Sequence, residues 1–168
     1  MSVKYGILTS LYLQKNHGYE LKLVLESLLG TKGKINPGQI YTTLDRLIRD
    51  LLVSSVGKDD QERKLYEITA EGQKELKSWL LEPVPYNSSK TDFHFKWSCA
   101  RKIAFDQEKK MLNQQKTIIM KDVMELTKLK TGSLLNGDET QYLLITGTLL
   151  HLEADLNWIN QVENRNQS

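Results

Sequence analysis

A mainly α chain in two parts follows from three features of this 168-residue sequence. Its first fifty or so residues carry apolar positions at helical spacing in three short runs. Two alternating runs then flank a polar loop, and beyond a proline-containing segment the pattern is helical to the end. Hydrophobic residues at 39% and charged residues at 26% describe a chain that buries a core and is not disordered.

The first helix is expected over residues 2–15, where Val3, Ile7, Leu8 and Leu11 share a face; Asn16, His17 and Gly18 then read as a turn. Leu21, Val24, Leu25 and Leu28 give a second apolar stripe over residues 19–29, ended by "GTKGK". Tyr19 reads as a core or supporting aromatic of that helix. Asn36 followed by Pro37 is a helix start, a capping side chain with proline at the first helical position. Ile40, Leu44, Leu47, Ile48 and Leu51 form the buried stripe of the third helix. From Leu52 the rhythm changes to that of a strand with no glycine between, so Leu51 is expected either in a tightened last turn or with positive φ.

Residues 52–56 and 64–69 read as a hairpin closed by "GKDDQER", with Leu65 and Ile68 inward. Thr69 caps a fourth helix whose apolar positions are Leu76, Trp79 and Leu80, stopped by Pro83 and Pro85. The segment "EPVPYNSSK" is the best boundary in the chain, so residues 1–82 are expected as one domain, 83–90 as a linker and 91–168 as a helical domain. In that half Phe93, Trp97, Ala100 and Ala104 follow one face. Phe105, Leu112, Ile119 and Leu126 recur every seven residues in a long helix ending near Gly132, with "GSLLNGD" as a loop. Tyr142, Ile145, Leu149, Leu152, Leu156 and Ile159 then repeat in steps of three and four, the spacing of a dimerisation seam.

Several function classes find no support. No glycine-rich phosphate loop, nucleophile elbow or paired carboxylates in an apolar setting point to an enzyme. His17, His94 and His151 are too scattered to hold a metal, and no cofactor is expected. Cys99 alone excludes an internal disulfide framework and reads as a buried, inert thiol. Without a run of about 18 apolar residues or a signal-like N-terminus, no membrane partner is expected and the default location is cytoplasmic. A net charge of +2 means that any affinity for a polyanion must come from a local footprint.

Such a footprint exists. Three helices, a hairpin and a fourth helix have the layout of a winged helix-turn-helix, in which the third helix can enter a DNA major groove. Gln39, Thr43 and Arg46 lie on a face distinct from its apolar stripe, and those residue types suit adenine, a base edge or methyl group, and guanine. The helix N-terminus could present amides to a phosphate. Lys32 and Lys34 precede it, and Lys58, Arg63 and Lys64 lie in or beside the hairpin loop, where Asp59, Asp60 and Glu62 dilute them. The plain alternative is an ordinary solvated helix face.

The stretches "HGYEL" (17–21), "GQIYTTLDRLIRD" (38–50) and "RKLYEITAEGQKEL" (63–76), in this order and separation, resemble PadR-type transcriptional regulators. The resemblance is firm over residues 1–82 and one of architecture beyond. It implies a homodimeric winged-helix protein, usually a repressor, that binds double-stranded DNA and answers to a small aromatic effector such as a phenolic acid. By position it implies DNA contacts from Gln39, Tyr41, Thr42 and Thr43, with Arg63 and Lys64 in the wing; Asn36 at the helix start is a further candidate for a DNA contact, and Phe93 and Trp97 are candidates for an effector pocket. Two departures stand out: Leu51 where relatives have glycine, and "DDQE" where many have a basic wing tip with proline. The near-neutral charge and acidic wing keep open a second class, a winged-helix protein-interaction module that does not bind DNA.

Overall fold

The computed structural model describes residues 3–28, 35–85 and 92–165. About 75% of these are helical. The order is α1 (Val3–Leu13), β1 (Asn16–His17), α2 (Gly18–Leu28), α3 (Pro37–Arg49), β2 (Val53–Lys58), β3 (Lys64–Ile68), α4 (Ala70–Leu81), α5 (Asp92–Lys102), α6 (Glu108–Leu135) and α7 (Glu139–Arg165). Contacts divide the chain into two compact units, residues 1–82 with 90–108, and residues 83–89 with 109–168.

In the first unit Ile7, Leu8, Leu21, Leu25, Ile40, Leu44, Leu76 and Leu80 are fully buried, so α1 to α4 share one core. Burying each such side chain contributes about 1.5–3 kcal/mol. Tyr5 stacks on Trp79 with ring centroids 4.1 Å apart, and both Lys4 and the Tyr5 hydroxyl donate to Glu75, tying α1 to α4. Tyr19, expected as a core or supporting aromatic, is exposed.

The sheet has three strands and not two. Asn16 and His17, expected as a turn, pair antiparallel with Tyr66 and Leu65, giving the order β1-β3-β2. The buried Asn16 amide also donates to Ser10 Oγ. A two-residue strand has no periodicity to read, so only its partner reveals it. On β3 Tyr66 is the buried residue, while Leu65 and Ile68 are half-buried. Leu65 and Ile68 are three apart and so cannot share a face of a period-two strand.

The junction after α3 resolves the question raised by the missing glycine. Leu52 N–H donates to Leu47 O (2.9 Å) and Leu51 N–H to Ile48 O (3.0 Å), the paired bonds of a Schellman cap. Leu51 takes φ 59°, the left-handed conformation usually given to glycine. It is 73% exposed, so it does not belong to the buried stripe. Its side chain is turned out because the cap reverses the chain into β2. Leu51→Gly is therefore expected to raise stability by about 0.5–1 kcal/mol, since relief of the left-handed penalty outweighs glycine's extra chain entropy. A lower melting temperature for that variant would contradict the cap geometry. Ala104 (φ 48°) ends α5 by the same pair of bonds, from Phe105 to Ala100 and Ala104 to Arg101.

Helix α5 packs in the first unit, against α1, α2 and α4. Its buried positions are Phe95, Lys96, Cys99 and Ala100, whereas Phe93 and Trp97 are half-buried and Ala104 is exposed. Lys96 is only 3% exposed; it donates to Glu82 O at the end of α4 and lies 4.7 Å from the Trp79 ring centre. Burial lowers its pKa to about 8, against the pull of Glu82 and Asp92. The Cys99 thiol is pushed up to about 12 by burial, as suits an inert core thiol.

In the second unit α6 and α7 run antiparallel, as Lys116–Glu163 (2.9 Å) and Ser133–Gln141 contacts show. Helix α6 continues through Gly132 to Leu135, longer than expected; its cap glycine is Gly137 (φ 69°), and Asp138 Oδ1 accepts the Gln141 amide to open α7. Gln115, 4% exposed, accepts from Val84 N–H (2.7 Å) and donates to Val84 O (2.8 Å). Proline has no N–H, so Val84 is the one backbone donor between Pro83 and Pro85, and Gln115 satisfies it.

Candidate nucleic-acid interface

Asn36 fixes the start of α3: its Oδ1 accepts from Gly38 N–H (2.9 Å) and its carbonyl from Gln39 N–H (3.0 Å). With Pro37 lacking an N–H, these first amides are engaged within the protein. The expectation of free amides for a phosphate is thereby corrected, and Asn36 acts as the cap that sets the helix. Lys34, with Lys32, lies outside the described residues.

From that start the side chains divide cleanly. Ile40, Leu44 and Leu47 are buried; Gln39, Thr42 and Arg46 are exposed and Thr43 is half-buried on the opposite side. Thr42 Oγ1 donates to Gly38 O (2.9 Å) and Thr43 Oγ1 to Gln39 O (2.7 Å). With their protons used along the helix, the two hydroxyls face outward as acceptors beside their methyl groups. Gln39 and Arg46 supply the donors. The face thus offers donors, acceptors and methyls together, the mixture that distinguishes base edges in a major groove.

Arg49 extends this face and was missed in the sequence. It is exposed, three residues beyond Arg46 and seven beyond Thr42. Helical spacing is the signal that places it there. Arg46 and Arg49 also suit the negative end of the helix dipole, so part of their role is structural.

Tyr41 stands apart. Its ring packs against Gly18 at the start of α2, where an added Cβ would lie 2.6–2.7 Å from ring carbons and 2.8 Å from the hydroxyl oxygen. It remains 49% exposed, so it seats α3 on α2 while keeping an outward edge. Burial raises the pKa of Tyr66, with smaller contributions from Tyr41 and Asp45.

The wing loop is organised by its acids. Asp59 Oδ1 accepts from Gln61 N–H and Arg63 N–H (2.9 Å each), and Oδ2 meets Arg63 Nε at 2.6 Å. Desolvation opposes them, but these hydrogen bonds hold the Asp59 carboxyl below its usual range. Lys58 pairs with Glu62, which takes φ 60°. Lys64 has no acidic partner among the described residues and lies 5.5 Å from the Tyr66 ring centre.

Residues 7–78, spanning most of α1 through most of α4, match the model of the transcriptional regulator PadR-like family. This segment is similar to the PadR-like domain. PadR-like transcriptional regulators are a non-enzymatic class. A probable transcriptional regulator of Mycobacterium tuberculosis, Rv1176c, is 33% identical over 89 residues, which are 50% of this chain and 46% of that protein. The matched stretch thus spans less than half of that relative. Bacillus subtilis PadR in complex with operator DNA is 20% identical, with 95% of this chain and 94% of that one covered at a TM-score of 0.43. The same protein in complex with p-coumaric acid is 20% identical, covering 99% of both chains, with a TM-score of 0.43. The Vibrio cholerae virulence activator AphA is 19% identical, covering 99% and 100%, again with a TM-score of 0.43.

Outside the matched segment, the aromatic pair Phe93 and Trp97 sits half-buried on α5, and Trp97 Nε1 donates to Glu108 Oε1 (3.0 Å). With its N–H engaged, Trp97 can offer a ligand only ring surface. Of the expected seam on α7, Ile145, Leu152 and Ile159 are already covered within one chain, and Tyr142, Leu149 and Leu156 are half-buried. Exposed apolar side chains lie elsewhere: Met120, Met124 and Leu129 on α6, and Leu143, Leu144 and Leu150 on α7. No described helix is long and apolar enough to cross a membrane.

Proposed function

We propose that this protein is a homodimeric, ligand-responsive repressor that reads a palindromic DNA operator with α3 and the wing. The observation that carries the reading is the outward face of α3. Gln39, Thr42, Thr43, Arg46 and Arg49 form it on a helix fixed by Asn36 at one end and the Leu51 cap at the other. A side chain can discriminate bases only if the helix bearing it is held still. Two copies joined through α6 and α7 would set two such helices about one DNA turn apart, roughly 34–36 Å. The half-buried Tyr142, Leu149 and Leu156 and the exposed leucines beside them supply apolar surface for that association. An aromatic acid of the p-coumarate type, meeting Phe93 and Trp97, would release DNA by favouring a dimer geometry with the wrong spacing.

Titration of the full-length protein with DNA from upstream of its own gene tests this reading, at about 50 and about 200 mM salt. Affinity is expected to fall at least about tenfold between the two, because each phosphate contact releases counterions. Arg46→Ala should cost about 1–3 kcal/mol and relax preference at one base position, while Gln39→Ala shifts preference among operator variants. Adding p-coumarate should release the DNA. Binding that is absent or indifferent to salt would instead favour the protein-interaction module, the reading to which the internally paired wing cations lend support.

A further inference from the structure

The wing carries three cations, but the structure does not leave all three equally available. Arg63 is held by Asp59 and Lys58 by Glu62, each pair formed within the loop, whereas Lys64 has no acidic partner among the described residues. A carboxylate bound to a guanidinium or ammonium occupies the place a phosphate oxygen would take. Asp59 is built into the turn: its two oxygens accept from two backbone amides and from the Arg63 side chain. We propose that Asp59 and Glu62 are specificity-determining residues of the wing. They act as internal phosphate mimics that hold Arg63 and Lys58 back from the DNA backbone and so suppress sequence-independent binding. The proposal rests on the DNA-binding reading above.

The physical reason lies in the competition between a tethered and an untethered anion. Backbone contacts supply nearly all of the affinity for random DNA but only part of that for an operator, where α3 adds base contacts. An acid that weakens backbone contacts therefore lowers random binding proportionally more. Exposed ion pairs are weak, so a well-placed operator phosphate can still displace them. Each pair should reduce backbone affinity about two- to fivefold, the range such pairs span in solution.

The test compares the full-length protein with Glu62→Gln, Asp59→Asn and Asp60→Asn on a random-sequence duplex and on the upstream DNA. Asp60 sits in the same loop, carries the same charge and makes no ion pair among the described residues, so it controls for net charge. Asn at 59 keeps an acceptor for the two amides and replaces the oxygen facing Arg63, so the turn is preserved. Melting curves matching the wild type confirm folding for each variant. The expected result is a two- to fivefold tighter grip on random DNA for Glu62→Gln and Asp59→Asn. The salt dependence should be steeper by about 0.9 per freed cation, with a smaller change for Asp60→Asn. Equal gains for all three variants would reduce the effect to net charge and overturn the proposal, as would unchanged binding by Glu62→Gln and Asp59→Asn. Failure of the wild type and every variant to bind either duplex would overturn the DNA-binding reading itself. Binding by the wild type with no response in the variants overturns the wing proposal alone.

Discussion

Gly72→Ala is expected to destabilise the first unit by at least about 3 kcal/mol, with a melting temperature lower by roughly 10 °C or more. A Cβ at Gly72 would lie 2.1 Å from the backbone oxygen of Leu52 and 2.7 Å from Ile68 Cγ1. Neither obstacle is the end of a flexible side chain. The Leu52 carbonyl is held where it is by Thr69 N–H (3.1 Å), and the neighbouring Leu51 carbonyl accepts Thr69 Oγ1 (2.7 Å). Thr69 Oγ1 in turn accepts Gly72 N–H, so the start of α4 is fastened directly onto the turn between α3 and β2. A methyl group there pushes α4 off that turn and loosens both α3 and the wing. Gly132→Ala gives the opposite sign. It sits in α6 with nothing within 4 Å of the added atom, so it should gain about 0.5–1 kcal/mol from helix propensity. Thermal or denaturant melts of the two variants decide the matter; a Gly72→Ala protein as stable as wild type would refute the packing described for the turn.

Leu144→Lys is expected to leave the protein folded but monomeric, with operator affinity lower by about a hundredfold or more because the second half-site no longer binds intramolecularly. Leu144 is 70% exposed in a single chain, so a lysine there removes little internal packing. In an apolar contact between two copies it would bury an unpaired charge on each side. Ile159→Lys cannot serve the same purpose, since Ile159 is wholly buried within the chain and its replacement would unfold the hairpin. Sizing chromatography and light scattering read the outcome, with circular dichroism to confirm helicity. A dimer unchanged by Leu144→Lys would place the association on another surface.

Most of α3 and its flanking caps is legible in the sequence because it depends on local rules. The Asn36-Pro37 start, the stripe of Ile40, Leu44 and Leu47, the opposite face of Gln39, Thr43 and Arg46, and the Thr69 cap each follow from neighbours within a turn or two of helix. The readings that changed were those in which distant chain decides. Asn16 and His17 became a strand because Tyr66 and Leu65 lie beside them. Tyr66, and not Leu65, is the buried position of β3. On α5, Phe95 and Cys99 took the inward side in place of Phe93 and Trp97. That helix carries apolar and aromatic residues on more than one face, so periodicity could not choose between them.

The α7 seam shows the same division. Its spacing reads as a dimerisation seam, yet spacing does not say whether the partner is the chain's own atoms or a second copy, and Ile145, Leu152 and Ile159 are covered within one chain. The wing cations were named from sequence, but their pairing with Asp59 and Glu62 depends on a loop geometry that brings residues four apart into contact outside any helix. By itself, then, the sequence determined the elements, the capped third helix and the residue types on its outer face, because those rest on local backbone chemistry and helical period. Only the tertiary structure decided which apolar faces remain uncovered, which cations remain unpaired and how a leucine replaces glycine at the turn into the wing. Each of these depends on what lies across space from a residue, and a linear pattern carries no record of that.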